Sequence, residues 1–148
     1  MQDRLVGKTV YLDTNVIIYA FEAGHAGRSV FQDIFRMIDA DAIKATTSEL
    51  TLAEILTGPY KAGAEDLVTF YENLLSAASP LQVAPIDRDV LRAAARLRAS
   101  LGLRLADAIH AATATQIGCD FLFTEDAPFG TKLPQSLSWL SLADFVSP

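Results

Sequence analysis

Four acidic residues lie in or beside apolar segments, where an ionised carboxylate without a partner is strongly destabilising. They are Asp13, Glu54, Asp107 and Asp126. Each must be protonated, paired with a cation or bound to a metal ion. If the four lie together their charges repel one another, and a divalent cation relieves that repulsion. Ligand sets made only of oxygen favour Mg²⁺ or Mn²⁺ over zinc, so the pattern predicts a site for one of these ions.

Taken singly, each acid also has an ordinary structural explanation. Aspartate is a common residue at helix N-termini and in the turns that follow strands. Asp107 lies in a segment, residues 105–117, that is apolar on nearly every side, so its side chain is expected to point inward. There it could pair with Arg104, the nearest basic residue in sequence. Only a common location for all four acids separates a metal site from these alternatives.

Strand-like and helix-like segments alternate along the chain. Strands are predicted at residues 9–12, 42–46, 81–86, 121–123 and 137–140. Helices are predicted at residues 30–38, 49–57, 65–77, 88–101, 105–117 and 141–145. This alternation predicts an α/β fold: a single three-layer domain over residues 1–148, with helices on both faces of a parallel sheet. Such sheets bind ligands beyond the carboxyl ends of their strands, where Asp13 and Asp126 are predicted to lie.

The helix that carries Glu54 has start and stop signals in the sequence. Ser48 is predicted to be its N-cap, and Thr51 with Glu54 forms a candidate capping box. Gly58 and Pro59 are predicted to end it.

The composition excludes several classes of protein. Hydrophobic residues make up 51% and charged residues 20% of the 148 residues, as in ordinary globular domains. No apolar run reaches the ~18 residues that span a bilayer, and residues 1–4 are polar, which predicts a cytoplasmic protein without a membrane segment. One cysteine and two histidines do not make a disulfide or a zinc cage. A net charge of −6 argues against binding nucleic acid by bulk charge alone.

Four segments resemble the acidic motifs of PIN domains in their order and spacing. They are YLDTNVIIY at 11–19, SELTLAEIL at 48–56, LADAIHAATA at 105–114 and FTED at 123–126. The resemblance covers nearly the whole chain. A free-standing PIN domain of this size is most similar to the VapC-type toxins of bacterial toxin–antitoxin pairs. It implies a ribonuclease that requires Mg²⁺ (or Mn²⁺) and is restrained by a cognate antitoxin.

The resemblance also implies a role for each acid. Asp13 and Asp107 would be the principal metal ligands. Glu54 and Asp126 would complete the site, either directly or through water. The resemblance, together with the apolar content, further implies a homodimer.

Three neighbouring polar residues have roles that the resemblance leaves less defined. Thr124 would orient the fourth acid, and Asn15 would either hold water or a carboxylate or serve as a turn residue. Glu125 stands where the family commonly has asparagine, which leaves open whether it or Asp126 enters the pocket. The alignment favours Asp126.

Two further features have alternative interpretations. His110 either takes part in proton transfer or is a hydrogen-bonded core residue. Arg88, Arg92 and Arg96 form a stripe on the outer face of their helix, which either contacts RNA phosphates or is simply solvated.

Two other functions are compatible with the sequence. Asp13, at the end of the first strand, is where a phosphoaspartyl enzyme or a receiver-like switch would carry its phosphorylated residue, although Thr14 and Asn15 supply no second aspartate. A non-catalytic interaction module would keep the acids for folding or metal binding without hydrolysis.

Overall fold

Five parallel strands form one sheet in the computed structural model, which describes residues 1–146. The strands are β1 (Thr9–Leu12), β2 (Lys44–Ser48), β3 (Gln82–Ala84), β4 (Phe121–Phe123) and β5 (Ser138–Leu140). Their order across the sheet is β3-β2-β1-β4-β5, so β1 is central. Val10 of β1 pairs with Ala45 of β2 on one side and with Phe121 of β4 on the other.

Eight α-helices and one 3₁₀ helix accompany the sheet within residues 1–146. They are α1 (Gln2–Leu5), α2 (Thr14–Phe21), α3 (Arg28–Asp39), α4 (Glu49–Ala62), α5 (Glu65–Leu74), α6 (Arg88–Leu101), α7 (Leu105–Ile117), α8 (Ala127–Gly130) and the 3₁₀ helix Leu142–Phe145. Among these residues, no helix has the length and apolarity needed to cross a bilayer.

Side chains alternate across the sheet and so build two cores. Val10 and Leu12 pack with the helices α2 to α5, whereas Tyr11 points to the other face and packs with α6 and α7. Leu122 and Phe123 of β4 divide between the two cores in the same way. This alternation is the two-residue period of a strand, and it confirms the predicted sheet with helices on both faces.

The structure contains three helices that were not predicted, α1, α2 and α8, and it extends a fourth, α4. α2 was not predicted, because the apolar residues 16–19 carry no helical period of their own. α4 does not end at Gly58 and Pro59 but continues to Ala62, and Gly63 ends it in a left-handed conformation with φ 65°. Pro59 removes one backbone donor, but its ring is buried, and this packing keeps the helix intact.

Three other boundaries shift by a few residues. β2 begins at Lys44 and runs to Ser48, and the edge strand β3 is limited to Gln82–Ala84, the three residues that pair with β2. α5 ends at Leu74, ahead of the stop that Pro80 predicts. Pairing with neighbouring strands therefore decides the bounds of β2 and β3 more than local propensity does.

Candidate metal centre

Asp13 ends β1 and begins α2 at the centre of the sheet. One carboxylate oxygen accepts a hydrogen bond from the Thr14 backbone N–H at 2.8 Å, so Asp13 is the N-cap of α2. The other oxygen accepts from Thr124 Oγ1 at 2.7 Å and from Asn15 Nδ2 at 3.3 Å. Only 7% of the residue is exposed. Burial raises the pKa of Asp13, and His110 together with the hydrogen bonds opposes that rise.

Thr124 and Asn15 join the ends of β1 and β4. Thr124 was expected to orient the fourth acid; its hydroxyl accepts a hydrogen bond from the Asp126 backbone N–H at 3.1 Å, and it also donates to Asp13. The amide nitrogen of Asn15 lies 3.2 Å from Thr124 Oγ1. The side-chain oxygen of Asn15 accepts a hydrogen bond from the Glu125 N–H at 3.3 Å. Asn15 therefore holds a carboxylate, which was one of its two expected roles.

Glu125 and Asp126 face different parts of the molecule. The Glu125 carboxylate accepts a hydrogen bond from the Leu142 N–H, at the start of the 3₁₀ helix. Burial raises the pKa of Glu125, and that hydrogen bond opposes the rise. Asp126 accepts from the Phe129 N–H at 3.2 Å as the N-cap of α8, and it also lines a cavity beyond the sheet. The structure therefore places Asp126, the residue favoured by the alignment, in the cavity.

Trp139 on β5 supports the end of β4 from behind. Its indole N–H donates to the Thr124 carbonyl at 2.9 Å. The ring packs directly on Gly130, where an added Cβ would lie 2.2 Å from the indole carbon Cε2. Glycine at this position lets α8 approach the indole that fixes Thr124.

Glu54 lies one helical turn inside α4 rather than in a capping box. The helix begins at Glu49, and the Ser48 hydroxyl makes no capping hydrogen bond. Glu54 Oε1 accepts hydrogen bonds from Thr14 Oγ1 at 2.9 Å and from His110 Nε2 at 2.6 Å. Burial acts to raise the pKa of Glu54, but the hydrogen bond and charge of His110 outweigh it, so the pKa is lowered. Glu54 is therefore held as a carboxylate.

Three buried threonines fix α4 against the end of β1. Thr47 Oγ1 donates to the Leu12 carbonyl at 2.9 Å and lies 2.7 Å from Thr51 Oγ1. Thr51 Oγ1 in turn lies 3.1 Å from Thr14 Oγ1. Thr51 thus serves this hydroxyl chain, which explains why it takes no part in a cap.

His110 links the acids to the core of the protein. His110 is 1% exposed, and its Nε2 atom lies 2.6 Å from Glu54 Oε1 and 3.6 Å from Asp13 Oδ1. Nδ1 lies 2.6 Å from the hydroxyl of Tyr11, whose pKa burial raises far above its usual value. We assign the Tyr11 hydroxyl as the donor to Nδ1, which leaves Nε2–H to donate to Glu54. His110 is therefore a hydrogen-bonded core residue whose bonds reach the acids.

Asp107 occupies the first turn of α7 and lines the same cavity as Asp126. This cavity has a volume of about 220 Å³ and is also lined by Arg104 and Lys132. Burial and the negative charges of Asp13 and Asp126 raise the pKa of Asp107 to about 6, although His110 and Arg104 oppose the rise. The acids are thus close enough to repel one another.

The expectation that α7 is buried on nearly every side along its whole length is wrong. α7 enters the core from Ala108 to Ala114, whereas Leu105 is 54% exposed and residues 115–117 are exposed. Asp107 is half-buried at the open end of the helix. Within residues 1–146 it forms no ion pair with Arg104, so the alternative of a buried pair is also wrong.

The four acids meet at the carboxyl end of the sheet, and their donor atoms suit a hard divalent cation. The carboxylates of Asp13 and Glu54 and the Nε2 atom of His110 all lie within 4.8 Å of one another, and the His110 N–H holds Glu54 while the carboxylates are left to bind a cation. Asp107 and Asp126 add carboxylates on the cavity side. Oxygen-rich sites of this kind fit Mg²⁺ or Mn²⁺, and a bound cation would relieve the repulsion that acts on Asp107.

Comparison with known families agrees with this arrangement. The PIN domain family matches residues 10–131, which include all four acids. The chain belongs to the PIN domain family. A search of curated proteins finds no match.

Solved structures share the fold of this PIN domain. DNA-bound VapBC from Salmonella typhimurium is 18% identical with a TM-score of 0.71 and covers 91% of this chain and 98% of its own. FitAcB from Neisseria gonorrhoeae is 21% identical, with a TM-score of 0.69 and coverage of 90% and 98%. VapC20 from Mycobacterium tuberculosis, a sarcin-ricin-loop-cleaving toxin, is 19% identical, with a TM-score of 0.66 and coverage of 82% and 93%.

Sequence reasoning located the acids of this PIN domain and named Asn15 and Thr124 beside them, but it missed other residues that hold the acids. The contact of His110 with the site has a signal, since it lies one helical turn after Asp107 and therefore on the same face. Tyr11 and Thr14 have no such signal, because their partners are distant in sequence. Lys132 reaches the cavity only through the path of the chain after α8.

Proposed function

We propose that this PIN domain is a metal-dependent ribonuclease that hydrolyses RNA phosphodiester bonds with Mg²⁺ or Mn²⁺. One observation carries the proposal: Asp13 and Glu54 lie together at the carboxyl end of the sheet, and Asp107 and Asp126 line a cavity in which the charges of Asp13 and Asp126 act on Asp107. A gathered set of carboxylates is costly without a function, because the acids repel one another in the folded protein.

Each acid has a role in the proposal. Asp13 and Asp107 hold the cation, and Glu54 and Asp126 complete its shell directly or through water. When bound, the cation offsets the charge that develops on the phosphate and makes a nucleophile of water at neutral pH.

Other side chains keep these ligands in place. Thr124 and Asn15 fix the orientation of Asp13, and His110 with Thr14 fixes that of Glu54. In both cases hydrogen bonds position a carboxylate, as partners of metal ligands do in metal sites.

Cleavage of a fluorogenic single-stranded RNA tests the proposal. We expect hydrolysis with Mg²⁺ or Mn²⁺, loss of hydrolysis in chelator and recovery when the ion is restored. Full activity in excess chelator would contradict the mechanism. Metal binding without cleavage of varied RNAs would instead favour a non-catalytic interaction module.

The site geometry disfavours a phosphoaspartyl enzyme or a receiver-like switch. Both oxygens of Asp13 already accept hydrogen bonds, and the residue is 7% exposed, so a phosphoryl donor has little access to it. Detection of an acyl phosphate at Asp13 would reverse this preference.

We further propose that the protein is a toxin restrained by a cognate antitoxin. The support is the structural likeness to VapBC of Salmonella typhimurium and to VapC20, whose description names it a toxin. Expression of this chain alone should arrest bacterial growth, and co-expression of a short neighbouring reading frame should restore it. Unimpaired growth at high expression would contradict the toxin role.

We also propose that the protein acts as a homodimer in the cytoplasm. Large apolar side chains remain on its surface, with Tyr60 62%, Leu91 46% and Phe70 40% exposed, and association would cover such groups. Sedimentation at tens of micromolar should report a dimer, and a monomer would contradict it. Cell fractionation should place the protein with the cytoplasmic RNA.

A further inference from the structure

RNA must approach an acidic site on a protein whose net charge is −6. The cavity that Asp107 and Asp126 line is a place where this repulsion acts. Two basic residues, Arg104 and Lys132, line that same cavity. They come from different elements, since Arg104 is the N-cap of α7 and Lys132 follows α8.

Both cations are available to a ligand. Arg104 and Lys132 are exposed, and neither takes part in an ion pair within the described part of the chain. By contrast, Arg36 and Arg92 each pair with an aspartate of their own helix.

The size of the cavity limits what these cations can contact. A volume of about 220 Å³ is below the range of ~300–1,000 Å³ that holds drug-sized ligands. It admits a phosphate with its ester oxygens rather than a whole nucleotide. A divalent ion would offset the acids, but each phosphodiester of the RNA brings a further negative charge that only Arg104 and Lys132 are placed to meet.

We propose that Arg104 and Lys132 form a phosphate clamp, which binds the RNA backbone next to the bond that is cleaved. The clamp rests on the proposed ribonuclease function and assigns its substrate contacts. The planar guanidinium of Arg104 can bind two phosphate oxygens at once, whereas Lys132 supplies a mobile point charge. The stripe of Arg88, Arg92 and Arg96 on α6 lines no part of this cavity.

RNA binding without cleavage tests the clamp. The probe is a short fluorescein-labelled 2′-O-methyl RNA, followed by anisotropy in EDTA over a range of salt concentrations. The variants are Arg104→Gln, Lys132→Gln and the double variant. The matched controls are Arg4→Gln and Lys8→Gln, two exposed cations before β1 at the opposite end of the sheet.

Each clamp variant should bind about 5-fold more weakly, and the slope of log affinity against log salt should fall by ~0.7 per cation removed. The controls should stay within about 2-fold of the wild type. With unmodified RNA and Mg²⁺, the clamp variants should raise KM more than they lower kcat, because the acids are intact.

Three results would overturn the clamp: unchanged affinity in both clamp variants, equal losses in clamp and control variants, or no binding by the wild type. Cleavage that persists with unchanged affinity would reject the clamp and retain the ribonuclease. Binding that depends on Arg104 and Lys132, in a protein that cleaves no RNA, would support the clamp and reject the ribonuclease.

Discussion

The two ends of the sheet both carry an aspartate beside a cavity, yet they differ in how that aspartate is used. At the amino end, a cavity of about 470 Å³ is lined by Asp120, whose carboxylate accepts a hydrogen bond from the Thr9 N–H at 2.9 Å. At the carboxyl end, the cavity is smaller, about 220 Å³, and Asp107 accepts no hydrogen bond from residues 1–146. Asp120 joins β4 to β1 through its hydrogen bond. Asp107 stays free to bind a ligand, although the negative charges of Asp13 and Asp126 repel it.

This difference teaches that volume does not identify the site. The larger cavity surrounds an acid whose partner explains it fully. The smaller one gathers acids that raise one another's pKa, and such unrelieved repulsion is a better indication of a ligand.

The largest effect should come from exchanging one acid at each end. Asp107→Asn should lower the cleavage rate about 10³-fold, because one ligand charge is lost where charge develops in the reaction. Asp120→Asn should leave cleavage nearly unchanged but weaken folding by about 1–2 kcal/mol, since it disturbs a strand-joining hydrogen bond. Single-turnover cleavage and urea unfolding measure the two effects. A similar loss of cleavage in both variants would contradict the proposal that only the carboxyl end of the sheet takes part in the reaction.

Metal binding should follow the same division. Mg²⁺ should raise the Tm of the wild type and of Asp120→Asn, but scarcely that of Asp107→Asn, since a ligand stabilises only the state that binds it. An equal Tm rise in all three proteins would place the ion elsewhere.

A smaller effect should follow when one hydroxyl is removed behind the site. Tyr11→Phe takes away the donor to His110 Nδ1, so the imidazole can carry its proton on Nδ1 instead of on Nε2 and then no longer donates to Glu54. Cleavage should fall about 10-fold, as is usual for partners of metal ligands. Tyr71→Phe is the matched control, because Tyr71 is equally buried but bonds to Glu22, outside the site. If both variants cleave equally well, His110 has only a structural role.

The repulsion at Asp107 should also appear in the pH dependence of stability. Its pKa is raised from 3.8 to about 6, so this group favours the folded state most below about pH 4. That contribution is lost as the pH rises and is gone above about pH 6. In chelator, the free energy of unfolding of Asp107→Asn relative to that of the wild type should therefore rise by ~1 kcal/mol between pH 4 and pH 7. This value allows for solvent screening at the half-exposed site. Parallel pH profiles of the two proteins would contradict the repulsion.

The smallest effect is expected on the outer face of α6. Replacing Arg88, Arg92 and Arg96 with glutamine should change RNA affinity less than about 2-fold and stability by less than ~1 kcal/mol, because these side chains are exposed and lie outside the acidic cavity. Anisotropy and urea unfolding check both values. A large drop in the salt slope would extend the RNA-binding surface onto this helix.

The fold was predictable wherever the apolar pattern had a clear period. β1, α6 and α7 have their predicted bounds, and Asp87 caps α6 by accepting a hydrogen bond from the Val90 N–H at 2.9 Å. α2 was not predicted because the apolar residues 16–19 show no helical period. α4 continues past its predicted end at Gly58 and Pro59, and Pro59 is buried within the helix. Tertiary packing overrides local signals at these points.

The candidate site was predictable in its acids and not in their environment. Asp13 and Asp126 follow strands, so the topology alone brings them to one edge. The half-burial of Asp107 was not predictable, since it depends on where α7 leaves the core. The bonds from Thr124 and His110 join residues 111 and 56 positions away, and no local pattern contains that information.

Trp139 gives this protein an optical reporter of its own site. It is the only tryptophan in the chain, and its indole N–H binds the carbonyl of the residue whose hydroxyl holds Asp13. Indole emission responds to the polarity and hydrogen bonding of the ring, so fluorescence excited at the long-wavelength edge of indole absorption, where the four tyrosines do not absorb, reports on this corner of the molecule alone. Titration of unlabelled protein with Mg²⁺ or Mn²⁺ can therefore be followed through a single chromophore, and any spectral change can be assigned to one residue without further labelling.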